Sequence, residues 1–431
     1  MTTETAAFQD YGKSSTAKTV EMIALILMLS GAALATLTLV SDLGRFWHNY
    51  LIMFMLLISL AVGSLFYVAL EYIIGANWST PIRRVFECLA GLIPWVALLA
   101  VPIIFFGGMD KLYHHWLPAH ETVVHSSHDG PQTSHESATV LKADKPSSEN
   151  HVKVDPLIEG KRGYLNKPFF VFRVFLCFGL WYLFYRLLTR NSRLQDQSGD
   201  QALTGRNVRI SAVFMLIFPF TLSMAAFDWM MSLEPHWFST MFGVYYFAGT
   251  LVSAIAVITI ITVNLRESGY LHPKTQRDTY YSLGLLMFAF NVFWAYITVS
   301  QFMLIWYGNL PEETVWFAHR YGGGWTFIVW FLFIFHFVIP FFALLSRNQK
   351  TNPKRLLFMA KWLVLAHILD LYFIIMPAYP NGGFFHWMDV GFLAIAVGIV
   401  MMVFSRRASQ TSLVPWKDPK LNLGLGFRLY N

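Results

Sequence analysis

The chain has 431 residues, of which 55% are hydrophobic, 17% aromatic and only 13% charged, and its mean hydropathy is +0.47. Soluble domains carry about 25% charged residues, so composition excludes a soluble globular protein. The net charge of +7 would suit a nucleic-acid binder, but the basic residues are dispersed over alternate loops and form no patch, which excludes that class.

Residues 1–19 read as a polar cytoplasmic N-terminus. Apolar runs of about 20 residues, enough to cross hydrocarbon as helices, follow near 20–40, 50–74 and 85–106, then near 168–189, 208–231, 238–264, 280–303, 325–345, 355–377 and 386–404. The first run is too long for a signal-peptide core and no small-residue cleavage site follows it, so it is expected to stay as a spanning helix. Transmembrane helices 1–3 thus occupy 20–106 and helices 4–10 occupy 168–404, with a cytoplasmic tail over 405–431. Lys13 and Lys18, Arg83 and Arg84, Arg190 to Arg209, Arg266 to Arg277, Arg347 to Arg355 and Arg406 to Lys420 fall on one set of loops. The other short loops hold little beyond Arg45 and Arg320. By the positive-inside rule both termini are cytoplasmic and the span count is even. Cys88 and Cys177, the only cysteines, lie inside apolar runs and read as packing residues, with no disulfide, iron–sulfur or c-type haem pattern.

Residues 107–167 break the pattern as a polar extracytoplasmic loop. Its histidines His114, His115, His120, His125, His128, His135 and His151 match no compact ligand spacing, so a solvated, disordered segment is expected. Its end, Tyr164 to Phe170, should be ordered, with Pro168 at a helix start. Gly-rich turns at Gly322–Gly324 and Asn381–Gly383 are expected on the outer side, and the short loops predict antiparallel helix packing.

Ionisable groups inside hydrocarbon cost on the order of a few kcal/mol each and are candidates for function. Topology arranges them as a ladder. Glu71 and Glu87 lie near the cytoplasmic side, His336 and His367 near the midplane, and Asp370, Asp228 and Arg173 toward the outside, with His367 and Asp370 at i and i+3 on one helix face. Carboxylates and imidazoles at such depths suit a proton path. Bland alternatives stand beside this: Arg173 neutralising Asp228, Glu87 pairing with Arg83 or Arg84, and each histidine satisfied by a carbonyl or hydroxyl. His336 and His367 could also ligate one b-type haem, although the second histidine pair usual for electron transfer across a bilayer is missing. A quinone head group needs a proton acceptor and a donor beside an apolar slot; Arg173, Asp228, His236 and Tyr245 are the candidates for it. No residue is expected to be catalytic by itself, and no metal site is expected.

Phe227–Thr240 and Gly243–Gly249, with Tyr164–Phe170 followed by Arg173 and with His319–Trp325, resemble the ActF subunit family of alternative complex III, the bacterial quinol:cytochrome c or high-potential acceptor oxidoreductase. The resemblance implies an all-α, NrfD-like integral membrane fold of about ten helices, with spans two to five and six to nine forming two four-helix bundles and the first and last spans flanking them. It further implies a subunit without ligated or covalent cofactors in the bacterial cytoplasmic membrane, contributing proton translocation or quinone (menaquinone) binding. The partners implied are the NrfD-like sister ActC, the iron–sulfur protein ActB, the multihaem cytochrome c ActA, the monohaem cytochrome c ActE, small membrane subunits and a terminal oxidase. A secondary transporter and a purely structural membrane anchor are the alternatives.

Overall fold

The computed structural model describes residues 11–117, 155–275, 277–322, 324–379 and 385–429. Among these the chain is all-α, and ten helices are long and apolar enough to cross a membrane: spans 1 (Ser15–Ser41), 2 (Leu43–Ile74), 3 (Thr80–Phe105), 4 (Lys167–Ser198), 5 (Ala202–Leu233), 6 (Met241–Glu267), 7 (Arg277–Gly308), 8 (Trp325–Leu345), 9 (Pro353–Ala378) and 10 (Asp389–Ser409). It is a multi-pass integral membrane protein. Histidines 120–151 and the Asn381–Gly383 turn lie outside the described residues, as does Gly323, whereas His114 and His115 are exposed.

Several helices begin earlier than their apolar runs. Span 2 opens at Leu43, because Arg45, His48 and Asn49 in its first two turns are buried against other helices. Hydropathy scores such residues as loop, while the bundle treats them as core. Span 4 starts where the Asn166 side chain accepts from the Phe169 N–H (2.9 Å), ahead of Pro168 in the first turn; the cap satisfies a free backbone donor and proline has none to lose.

Spans 2 and 6 form the centre. The most apolar stretch of span 2 is buried throughout, since the helix packs against spans 3, 5, 6, 9 and 10. Close approach rests on small residues: a methyl on Gly63 would stand 2.6 Å from the Ala254 side chain of span 6. Spans 2 to 5 pack together on one side and spans 6 to 9 on the other, and spans 1 and 10 pair along their length outside them. That pair meets at Gly31, Gly391 and Gly398, where added methyls would lie 2.5 to 2.8 Å from the facing helix, as expected where packing between helices replaces the hydrophobic drive. The perimeter is apolar and exposed, for example at Leu216, Phe220, Phe327 and Phe342, which suits contact with lipid. Both ends of the described chain lie on one face, where the Tyr11 hydroxyl donates to Ser405 (3.2 Å); it is called the termini face below.

Two spans are irregular. Span 3 breaks at Gly91–Leu92, just before Pro94. Span 8 contains a π-helical segment, Phe333–Val338, immediately before Pro340. A proline inside a helix lacks an N–H and its ring collides with the carbonyl four residues earlier, here that of His336. The wider turn relieves this conflict, and His336 points inward, fully buried.

Candidate functional site

The buried polar side chains fall into three layers. At the termini face, Arg83 at the start of span 3 contacts Glu71 of span 2 (3.1 Å), Glu87 (3.6 Å) and Asp418 of the C-terminal tail. Arg84 contacts Glu87 (2.7 Å) and Asp196 and donates to the Ser192 carbonyl (3.0 Å). Thr80 donates to Glu71 (3.3 Å). Two guanidiniums thereby serve four carboxylates, and all but the partly exposed Asp196 are deeply buried. Glu87 pairs with both arginines, as the bland alternative proposed.

On the opposite face, Arg173 grips Asp228 through two parallel bonds (2.7 and 2.9 Å). It donates also to the Tyr164 carbonyl (2.9 Å) and lies under the Tyr164 and Phe169 rings, 3.8 and 4.4 Å from their centroids. A bidentate, fully buried guanidinium–carboxylate pair with cation–π support fixes geometry. Arg45 and Asp389 pair likewise (2.6 Å), with Asn49 donating to Asp389 (2.8 Å). Arg320 pairs with Glu234 (2.8 Å) and donates to the carbonyls of Ile374 (2.7 Å) and Phe373 (3.3 Å), tying the Pro311–Tyr321 helix to the end of span 9.

The third layer lies between them and is of a different kind. Asp370 of span 9 is buried and makes no ion pair among the described residues. Its carboxylate accepts from two neutral donors, the Tyr245 hydroxyl of span 6 and the Trp294 indole N–H of span 7 (3.1 Å). The Trp294 ring stacks on His336 at 3.7 Å, and His336 meets Asn291 one turn back on span 7 (3.1 Å). His367, one turn before Asp370, contacts Ser59 of span 2 (3.2 Å). A methyl on Gly249 of span 6 would lie 2.9 Å from its ring nitrogen Nδ1, so only glycine admits the imidazole there. One donor atom from each of His336, His367 and Asp370 lies within 4.8 Å of the others.

Beside this cluster is an apolar cavity of about 400 Å³ lined by Tyr245, Trp294, Thr298, Phe302, Phe333 and Phe373. Its rim residues Trp330 and Val299 are 62% and 47% exposed, so the cavity opens onto the apolar flank between spans 7 and 8. The two side chains that donate to Asp370 are thus also its polar wall.

This geometry redraws two expectations. Asp370 shares one cluster with His336 and His367, while Asp228 and Arg173 pair with each other apart from it. The proposed quinone set of Arg173, Asp228, His236 and Tyr245 is split. His236 is half exposed on the surface, bound to Asp155 (2.5 Å), and its hydrogen bond holds the Asp155 carboxyl below its ordinary value. Tyr245 lies one to two turns into span 6 and faces Asp370. Nearness to Asp228 in sequence misplaced both, since the chain turns at Met230–Thr240 and span 6 then runs back into the bundle. The ladder is also interrupted: Ser59 and Glu71 are twelve residues apart on span 2, about 18 Å at helical rise, with apolar side chains for the most part between. Trp294, Asn291 and Ser59 did not stand out, because only ionisable groups were ranked; an asparagine in mid-span was the available signal.

Neither a scan of protein-family models nor a search of curated proteins finds a match to this chain. What the chain does must therefore be argued from the cluster and from the likeness of its motifs.

Proposed function

We propose that the chain is the membrane subunit of a quinol-oxidising respiratory complex of the alternative complex III type, and that the Asp370 cluster is where it exchanges protons with a quinone head group or with a path to it. One observation carries this reading: a buried carboxylate held by neutral donors, flanked by two imidazoles and walled off by its own donors from an apolar slot open on the flank of the bundle. A carboxylate beside a guanidinium is tied to a fixed charge partner, whereas one held by a phenol and an indole has only neutral donors around it, the setting that suits a proton acceptor. A slot of this size and lining accepts a planar, largely apolar ring whose hydroxyl donates to the Tyr245 oxygen. The motif resemblance supplies the remainder: an assembly with iron–sulfur and haem subunits, in the bacterial cytoplasmic membrane, with the termini face and its basic loops toward the cytoplasm.

The two helix irregularities lie in span 3 and span 8, which are the second helix of one bundle and the third of the other. A transporter built from repeats would place its broken helices in matching positions, so this pattern favours the respiratory reading.

The test has two parts. Purified under mild detergent, the protein should bring haem proteins with it; elution alone would overturn membership of the complex. In the intact complex Asp370→Asn, which keeps shape and the Trp294 bond, should lower quinol-dependent turnover by about 10²-fold, the loss of a positioned proton acceptor, with the complex still assembled. Unchanged turnover and proton stoichiometry would overturn the role of the cluster.

A further inference from the structure

We propose that His336, His367 and Asp370 form a binding site for one divalent transition-metal ion of the zinc class. The inference goes beyond the quinol reading and is read out by metal retention rather than turnover; an ion on Asp370 would compete with the proton exchange proposed for that carboxylate.

Hydrogen bonding sets the tautomers. The partner of His336 Nδ1 is the Asn291 amide oxygen (3.1 Å), which can only accept, so Nδ1 carries the proton and Nε2 presents a bare lone pair. Ser59 has acceptors for its single hydroxyl proton in the Met55 carbonyl and the Tyr246 hydroxyl (both 3.0 Å); in that arrangement its oxygen accepts from His367 Nε2 (3.2 Å) and Nδ1 of the ring is bare. Both bare nitrogens are buried and without a hydrogen-bond partner. Each belongs to a ring whose other nitrogen is oriented by a fixed acceptor, the arrangement by which proteins prepare histidine for a metal. The carboxylate of Asp370, itself oriented by Tyr245 and Trp294, completes the set.

One ligand atom from each of the three buried residues lies within 4.8 Å of the others, and such electron-rich atoms repel one another unless a cation lies among them. A proton bridges two such atoms and leaves the third unsatisfied; a metal ion satisfies all three. At bond lengths of about 2.0–2.2 Å tetrahedral ligands stand about 3.4 Å apart, so the three ligand atoms need to draw together by at most about 1.4 Å to close on one ion. Two neutral imidazoles and one carboxylate suit Zn²⁺, Fe²⁺ or Co²⁺ rather than Ca²⁺ or Mg²⁺, which take oxygen ligands. Gly249 gives the His367 ring its room, and the π-helical turn brings His336 inward to meet it.

The seven histidines between positions 114 and 151 would bind metal loosely, so the measurement uses a background in which they are alanine. The full chain, stripped with chelator, is exposed to Zn²⁺, desalted and assayed by mass spectrometry, and in parallel loaded with Cu²⁺ for electron paramagnetic resonance. Roughly one tightly held Zn²⁺ per chain is expected, with copper hyperfine structure from two nitrogens. Ser59→Ala and Asn291→Ala, which leave all three ligands in place, should weaken Zn²⁺ retention roughly 10- to 100-fold, and the double variant His336→Ala/His367→Ala should abolish it. Absence of retained Zn²⁺ in the background protein, equal retention in the double variant, or a copper spectrum without nitrogen coupling would each overturn the proposal. The copper spectrum needs no ligand variant and so decides even if the double variant fails to fold.

Discussion

Three of the four acids at the termini face are as deeply buried as the acid in the middle of spans 6 to 9, yet they are handled in opposite ways. Glu71, Glu87, Asp196 and Asp418 converge on Arg83 and Arg84, whereas Asp370 meets a phenol, an indole and two imidazoles. The first arrangement stitches span 3, the end of span 4 and the C-terminal tail to span 2 through charge pairs. The second surrounds a carboxylate with neutral donors. Burial alone therefore does not separate the two kinds of site; the chemistry of the partner does. Arg173–Asp228 and Arg45–Asp389 fall on the stitching side of that division.

The comparison breaks most visibly at Arg83. Arg83→Ala takes the guanidinium from Glu71 and Asp418 and leaves Glu87 to Arg84 alone, and removal of one partner of a buried ionic group costs about 3–5 kcal/mol; the variant should fail to accumulate in the membrane, as read by its yield after mild extraction. Near-normal yield would show that these acids are not held by charge. Asp228→Asn keeps an acceptor for Arg173 but leaves its cation uncompensated. It should lower the thermal midpoint of the detergent-solubilised protein by the equivalent of about 2–3 kcal/mol, while turnover of whatever assembles is unchanged. Lost turnover with a normal midpoint would move Asp228 into the working class.

Gly249→Ala probes the central layer by shape alone. Its methyl would press on the His367 ring from 2.8 to 2.9 Å, an overpacking that costs about 1–3 kcal/mol and tilts the imidazole away from Asp370. Activity should fall more than stability, and a nearly unaltered rate would show that His367 is packing only. The smallest effect is expected at the surface pair. The His236 hydrogen bond lowers the Asp155 carboxyl below its ordinary value of 3.8, so the stability it lends is complete above that value and is lost as the pH falls through the lowered folded value. His236→Ala should flatten that acid limb of the midpoint-versus-pH curve and leave neutral pH untouched; an unchanged curve would remove Asp155 from the account.

Much of the outline was legible beforehand. Ten apolar stretches and the chargeable groups inside them can be read in one dimension, because hydrocarbon penalises polarity wherever it occurs along a span. The pairing of Glu87 with Arg83 and Arg84 follows from i, i+3 and i, i+4 spacing on a single helix. Even Arg173 and Asp228, on adjacent antiparallel spans at like depth, could be weighed as a pair from topology.

Rotation about each helix axis could not be read in the same way. Depth comes from counting residues, but which face of span 6 carries Tyr245, and that this face meets span 9 rather than span 5, depends on how the helices pack. Pro340 was visible, yet the π turn it imposes on His336 is a local response to a clash that pattern reading does not resolve. Neutral partners such as Trp294, Asn291 and Ser59 carry no charge to give them away. The sequence by itself determined the spans, their number and the list of groups that membrane burial would have to compensate, since those follow from transfer into oil. Only the tertiary structure decided which group compensates which, because partnership depends on distances of a few ångströms between helices far apart in the chain.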